Sequence, residues 1–122
     1  MAPAPIENKL NEHPLIELSC VSGNGQPAAY ALVVLAEDIR PKMAEAATRT
    51  RVEQELGAWL AQVNKTLSGY EQLQMIVVSP EPWAVENGFL TPTLKIKRSK
   101  IEASVEPKLD GWYAQQGPVL WG

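Results

Sequence analysis

The sequence predicts a small α+β domain: a mixed sheet of about three strands with helices packed against it. Three observations carry that prediction. Helix and strand signals alternate along the 122 residues without repeats or low-complexity segments. The stretch Ala28 to Ala36, AAYALVVLA, is apolar at every position that alternation would expose, as in a central strand covered on both faces. Between it and the next apolar stretch, LQMIVVS at 73–79, lies one amphipathic segment long enough to carry a parallel crossover. A chain of this length suits one compact core and a single domain over residues 1–122.

Each element has its own local signal. Pro5 suits a first helical turn, Ile6 and Leu10 sit four apart on one face, and Pro14 closes the segment, so a short helix opens the chain. Ile16, Leu18 and Cys20 alternate with Glu17, Ser19 and Val21 as a strand does, and Gly23-Asn24-Gly25 reverses the chain into the second strand. From Pro41 to Leu67, Val52, Leu56, Trp59, Val63 and Leu67 recur three or four apart, an amphipathic helix whose stripe, Trp59 included, faces the sheet. The third strand comes next, at 73–79. Ser99 with Glu102 has the form of a capping box, and Ile101, Val105, Leu109 and Trp112 continue a helical stripe that Pro107 kinks or divides. The closing QQGPVLWG stays loose unless Trp121 docks.

Composition, 45% hydrophobic and 20% charged with net charge −3, describes a globular body. No apolar run approaches the ~20 residues of a transmembrane helix, and the start of the chain lacks a basic region followed by an apolar stretch; cytoplasmic residence is the expectation. A single cysteine, Cys20, excludes an internal disulfide and a cysteine metal cage, and its strand position suits a buried thiol. His13 has no companion ligands at metal spacing and precedes Pro14, so a structural role is expected and no metal site.

The chemistry gathers in Glu86 to Arg98, ENGFLTPTLKIKR. Asn87-Gly88 makes a positive φ cheap, Pro92 holds Thr91 extended, and Lys95, Lys97 and Arg98 come immediately after. An exposed loop with three cations suits an anionic ligand; the plainer reading is a solvated basic surface. With Lys100 the same cations form a patch that a stand-alone nucleic-acid-binding module would use, but the acidic balance and the lack of interleaved aromatics argue against nucleic acid. A third reading is a dimerisation domain that keeps only the fold.

Written as T-P-T-L-K-I-K-R, the segment resembles the late motif of the AMP-forming adenylating enzymes, roughly T-x-S-G-K-x-x-R, matching at Thr91, Lys95 and Arg98 and departing at Thr93 and Leu94, where serine and glycine are usual. The form LTPTLK is similar to the long-chain acyl-CoA synthetase branch. The opening, with its P-x-x-I-E helix and H-P-x-I strand start, resembles the segment just past the hinge in that family. The resemblance implies a C-terminal lid domain of a fatty acid–CoA ligase, with the large N-terminal domain and hinge outside this chain. It implies that Lys95 is catalytic in adenylation, and that the domain then rotates so that a different face completes the thiol tunnel. Thr91, Thr93 and Arg98 are candidate nucleotide-binding residues; the two hydroxyls alternatively hold the loop by bonding backbone amides. ATP with magnesium and coenzyme A would serve the full-length parent, with fatty acid as co-substrate, and none of them is expected to bind the fragment alone.

Overall fold

The computed structural model describes residues 3–23, 28–115 and 117–122, Tyr70 by its backbone alone. Among the described residues, helices and strands run α1 (Pro3–Leu10), β1 (Ile16–Ser22), β2 (Ala29–Leu35), α2 (Ala46–Lys65), β3 (Leu73–Val78), α3 (Arg98–Val105), α4 (Leu109–Ala114) and β4 (Val119–Trp121). The sheet has the order β1-β2-β3-β4, with β1 antiparallel to β2 and the other two pairings parallel. Periodicity predicts about three strands; the fourth is the tail. Short strands of three residues escape periodicity, and what makes this one is docking. The backbone amide of Ile76 donates to the Pro118 carbonyl, Trp121 donates its indole N–H to Glu53, and the Arg49 guanidinium lies 4.6 Å from the Trp121 ring centroid.

Successive side chains of β2 and β3 point to opposite faces, and each face has its own core. Ala31, Val33, Ile76 and Val78 meet Ile6 and Leu10 of α1 and Val52, Leu56, Leu60 and Val63 of α2. Tyr30, Leu32, Val34, Met75 and Val77 meet Trp83, Leu90, Ile101, Leu109 and Trp112. All seven residues of β2 are buried, as a central strand requires. The first face is closed by two helices; the second by two short helices and the segment carrying the cationic motif.

Several local expectations are corrected. Ile16 joins the core of the first face while Leu18 and Cys20 join the second, because the ladder to β2 shifts register between Ile16 and Leu18; an inserted residue reverses the alternation beyond it. The segment at 40–44 is a 3₁₀ turn and α2 starts only at Ala46, because Glu45 between them is extended, at φ −86° and ψ 121°. Its buried stripe runs Val52, Leu56, Leu60 and Val63, while Trp59 lies at the edge, half-buried, donating its indole N–H to the Leu10 carbonyl at 3.2 Å. No capping box forms at Ser99: α3 starts at Arg98, Ser99 lies inside its first turn, and Glu102 instead accepts a hydrogen bond from Ser22 of β1. Pro107 does divide the helical stripe, sitting in a 3₁₀ turn between α3 and α4. Of the Gly23-Asn24-Gly25 turn, Asn24 and Gly25 lie outside the described residues.

Candidate active-site hairpin

Between β3 and α3 the chain has no long element, so its order must come from turns. Asn87 builds the first. Its side-chain oxygen accepts from the Ala84 amide at 3.0 Å and the Phe89 amide at 3.2 Å, its amide nitrogen donates to the Pro82 carbonyl, and Gly88 takes the positive φ of 82°. Trp83 and Leu90, on either side of this turn, are buried in the second core and fasten it to the sheet.

Next comes a small hairpin. Leu90 pairs with Ile96 in an antiparallel bridge, the Lys97 amide donates to the Phe89 carbonyl at 2.8 Å, and the Thr91 amide donates to the Lys95 carbonyl at 2.8 Å. At the tip, the Leu94 amide closes a β-turn on the Thr91 carbonyl at 2.8 Å, with Pro92 at the second position, where its fixed φ is favoured. The turn ends on Leu94 at φ 65°, the left-handed region that such hairpin loops ordinarily give to glycine. This is the position at which the resembling motif usually has glycine, and here leucine bears a strain of about 1–2 kcal/mol to hold that conformation. Leu94 is 64% exposed.

Thr91 and Thr93 hold this tip. Their hydroxyl oxygens lie 3.0 Å apart, and Thr91 Oγ1 accepts from the Lys95 amide at 3.1 Å. The result is a tight loop whose last residue, Lys95, projects into solvent; among the described residues its ammonium takes part in none of the ion pairs. Lys97 is exposed as well. A lysine on a short, internally bonded loop is presented to something outside the domain at small entropic cost.

Arg98 faces the other way. Its guanidinium grips Glu7 of α1 in a two-point ion pair, Nη1 to Oε2 at 2.5 Å and Nη2 to Oε1 at 3.0 Å, and Nη1 also donates to the Val21 carbonyl at 2.9 Å. Glu7 is 7% exposed and its Oε2 further accepts the Val21 amide at 2.7 Å. The Glu7 hydrogen bonds, ahead of the opposing cost of burial, raise the Arg98 pKa further above its already high value. Thus the structure brings Thr91, Thr93 and Lys95 together at the tip and commits Arg98 to the inside. Sequence reasoning meets Glu7 only as the last residue of the P-x-x-I-E motif and assigns it no role, because a carboxylate on a short helix reads as surface. The available signal is its place beside Ile6 on the face that Leu10 buries.

The remaining candidates are structural. Cys20 is fully buried 3.6 Å from Arg98 Nη1, and burial pushes its thiol up to about 12 despite that cation. His13 Nδ1 accepts the Leu15 amide at 3.1 Å and its ring packs against Trp59. Among the described residues no three His, Cys, Asp or Glu side chains gather as metal ligands, and no helix is long and apolar enough to cross a membrane.

Residues 1–117 match the family of AMP-binding enzyme C-terminal domains. This chain belongs to that family. It is 25% identical over 128 aligned positions to long-chain-fatty-acid–CoA ligase FadD15 of Mycobacterium tuberculosis, covering 95% of this chain and 21% of that protein. Over a shorter stretch, 38% of this chain and 7% of the relative, it is 43% identical to long-chain-fatty-acid–CoA ligase 5 of Rattus norvegicus. Among solved structures, the A-PCP didomain of carboxylic acid reductase from Segniliparus rugosus, in complex with AMP, superposes with a TM-score of 0.74 at 25% identity, covering 94% of this chain and 16% of that one. The chain therefore spans about a fifth of the length of FadD15 and less of the second relative, and the α+β fold with its mixed sheet is the one the family shares.

Proposed function

We propose that the chain is the mobile C-terminal domain of an ATP-dependent, AMP-forming fatty acid–CoA ligase and that Lys95 is its adenylation lysine. The observation that supports this most is the hairpin. Its turn is kept in left-handed geometry by a strained Leu94, and it delivers at its tip an exposed cation with no ion-pair partner among the described residues. Relatives named as long-chain-fatty-acid–CoA ligases favour a long-chain acid as substrate.

In the first half-reaction a carboxylate oxygen attacks the α-phosphorus of ATP, pyrophosphate leaves, and an acyl-adenylate forms. Two anions must approach while negative charge builds on the transferring phosphoryl group. A lysine ammonium is a compact charge with three donors on a flexible stem, able to reach a carboxylate oxygen and a phosphate oxygen together. Seated in a cleft from which water is excluded, it stabilises that charge far more than on a free surface. The domain would then rotate, withdrawing Lys95 and bringing another face to the acyl-adenylate for attack by the thiol of coenzyme A. The magnesium expected with ATP finds no ligand cluster among the described residues, so this domain is assigned no part in holding it.

Lys95→Ala in the complete enzyme tests the proposal. Acid-dependent pyrophosphate exchange is expected to fall roughly a hundredfold to a thousandfold, the effect of losing one preorganised stabilising group worth about 2–4 kcal/mol. Undiminished exchange would overturn it.

A further inference from the structure

We infer that Glu7 is a positioning residue for adenylation: through its two-point grip on Arg98 it fixes the base of the hairpin and thereby aims Lys95. The inference rests on the role proposed for Lys95 and adds to it a second residue on a distant part of the chain, 91 positions from its partner.

Arg98 is the first residue of α3 and stands three residues after Lys95. Between them the path is short and hydrogen-bonded: the Lys97 amide to Phe89, the Leu90–Ile96 bridge, then the Lys95 carbonyl to Thr91. Nothing in that path is a long helix or wide ladder, so the hairpin inherits its orientation from the ends that hold it. One end is apolar, Trp83 and Leu90 in the second core. The other is the guanidinium, held by both carboxylate oxygens of Glu7 and by the Val21 carbonyl, with Val21 also bonding back to Glu7.

A pair chosen only for stability would more simply be apolar. Replacing a buried ion pair by packed hydrophobic residues is often neutral or favourable, so its contribution is sought in orientation. A fork of two parallel N–H···O bonds fixes distance and plane together, which a single contact or a greasy one does not. Arg98 also crosses the layers of the domain. It links α1, which packs on the first face, to the hairpin and α3, which cover the second, around the β1 edge of the sheet. A displacement of α1 is therefore carried to the lysine hairpin through a rigid contact, and catalysis is sensitive to misplacement of about 1 Å.

Two variants of the complete enzyme, Glu7→Gln and Arg98→Lys, test this. Glu7→Gln keeps the size of the side chain and removes its charge; Arg98→Lys keeps the charge and removes the fork. Each is assayed for pyrophosphate exchange and for thioester formation from supplied acyl-adenylate, beside Lys95→Ala. Both variants are expected to lower exchange at least tenfold through kcat, with KM for ATP little changed and thioester formation within about twofold of the parent. Equal loss of both half-reactions marks a merely structural pair and overturns the inference, as does undiminished exchange in either variant. If Glu7→Gln fails to fold, Arg98→Lys decides by the same criteria. A Lys95→Ala enzyme with full exchange would instead remove the adenylation reading itself, so the two failures are distinct.

Discussion

The tip and the base of the Leu90–Arg98 segment stand three residues apart and are built on opposite principles. At the tip, Lys95 is exposed, the loop is closed only by its own hydrogen bonds, and Leu94 sits in a backbone region that leucine avoids. At the base, the partly buried Arg98 is held by a buried carboxylate, a backbone carbonyl and a thiol sulfur from two other elements. Two cations of similar sequence surroundings thus have different partners: one is satisfied within the domain, the other is exposed and takes part in no ion pair among the described residues. The lesson is that a cluster of charges is not one feature. What assigns each member is whether the fold already supplies its counter-charge.

The contrast can be broken most severely at the base. In urea unfolding of the 122-residue chain, Glu7→Ala is expected to cost about 1–3 kcal/mol, since it leaves a partly buried guanidinium without its partner; a loss below about 0.5 kcal/mol would mean that solvent compensates Arg98 freely. The tip should behave in the opposite way. Lys95→Ala is expected to leave the unfolding midpoint unchanged within about 0.5 kcal/mol, as surface substitutions do, while removing most of the adenylation rate. A large stability loss there would show that Lys95 has a structural partner.

Leu94 sharpens the comparison at finer scale. Leu94→Gly relieves the left-handed strain and removes an exposed side chain, so thermal stability should rise by about 0.5–1 kcal/mol, net of the entropy glycine gains when unfolded. A fall in stability would show that the leucine packs well enough to outweigh its backbone cost.

The smallest effect at neutral pH concerns the core behind the base. Burial raises Cys20 from 9.0, and Tyr30 and Tyr113 from 10.0, to about 12 in each case. Each group stays protonated in the folded state where it ionises in the unfolded chain, so the unfolded state binds fewer protons there. Stability is untouched well below pH 9 and declines as pH approaches 9 and rises on toward 12. Chemical denaturation at a series of alkaline pH values checks this; a flat profile across that window would contradict the burial of these groups.

Much of this is legible in the residues. Long periodic stretches give β2, α2 and β3 because burial on one or both faces leaves a repeat that a neighbouring turn does not erase. The Asn87-Gly88 turn and the division at Pro107 are legible for a different reason, backbone chemistry that acts within a few residues. What stays hidden depends on distance along the chain. The β1 bulge is set by the ladder to β2, the tail becomes a strand by docking on β3, and Glu102 abandons a local cap for Ser22. The site divides in the same way. Thr91 and Thr93 hold the loop through contacts two to four residues apart, whereas the fate of Arg98 is decided by a glutamate at the far end of the sequence.

Tip and base form one device on this view, and a double-mutant cycle on pyrophosphate exchange in the complete enzyme tests that most directly. Lys95→Ala, Glu7→Gln and their combination are compared with the parent. If Glu7 acts by aiming Lys95, its substitution has nothing left to misplace once the lysine is gone, and the double variant should be no slower than Lys95→Ala alone. Costs that simply multiply would contradict it, leaving Glu7 and Arg98 as a staple of the fold and Lys95 as a cation aimed by its own turn.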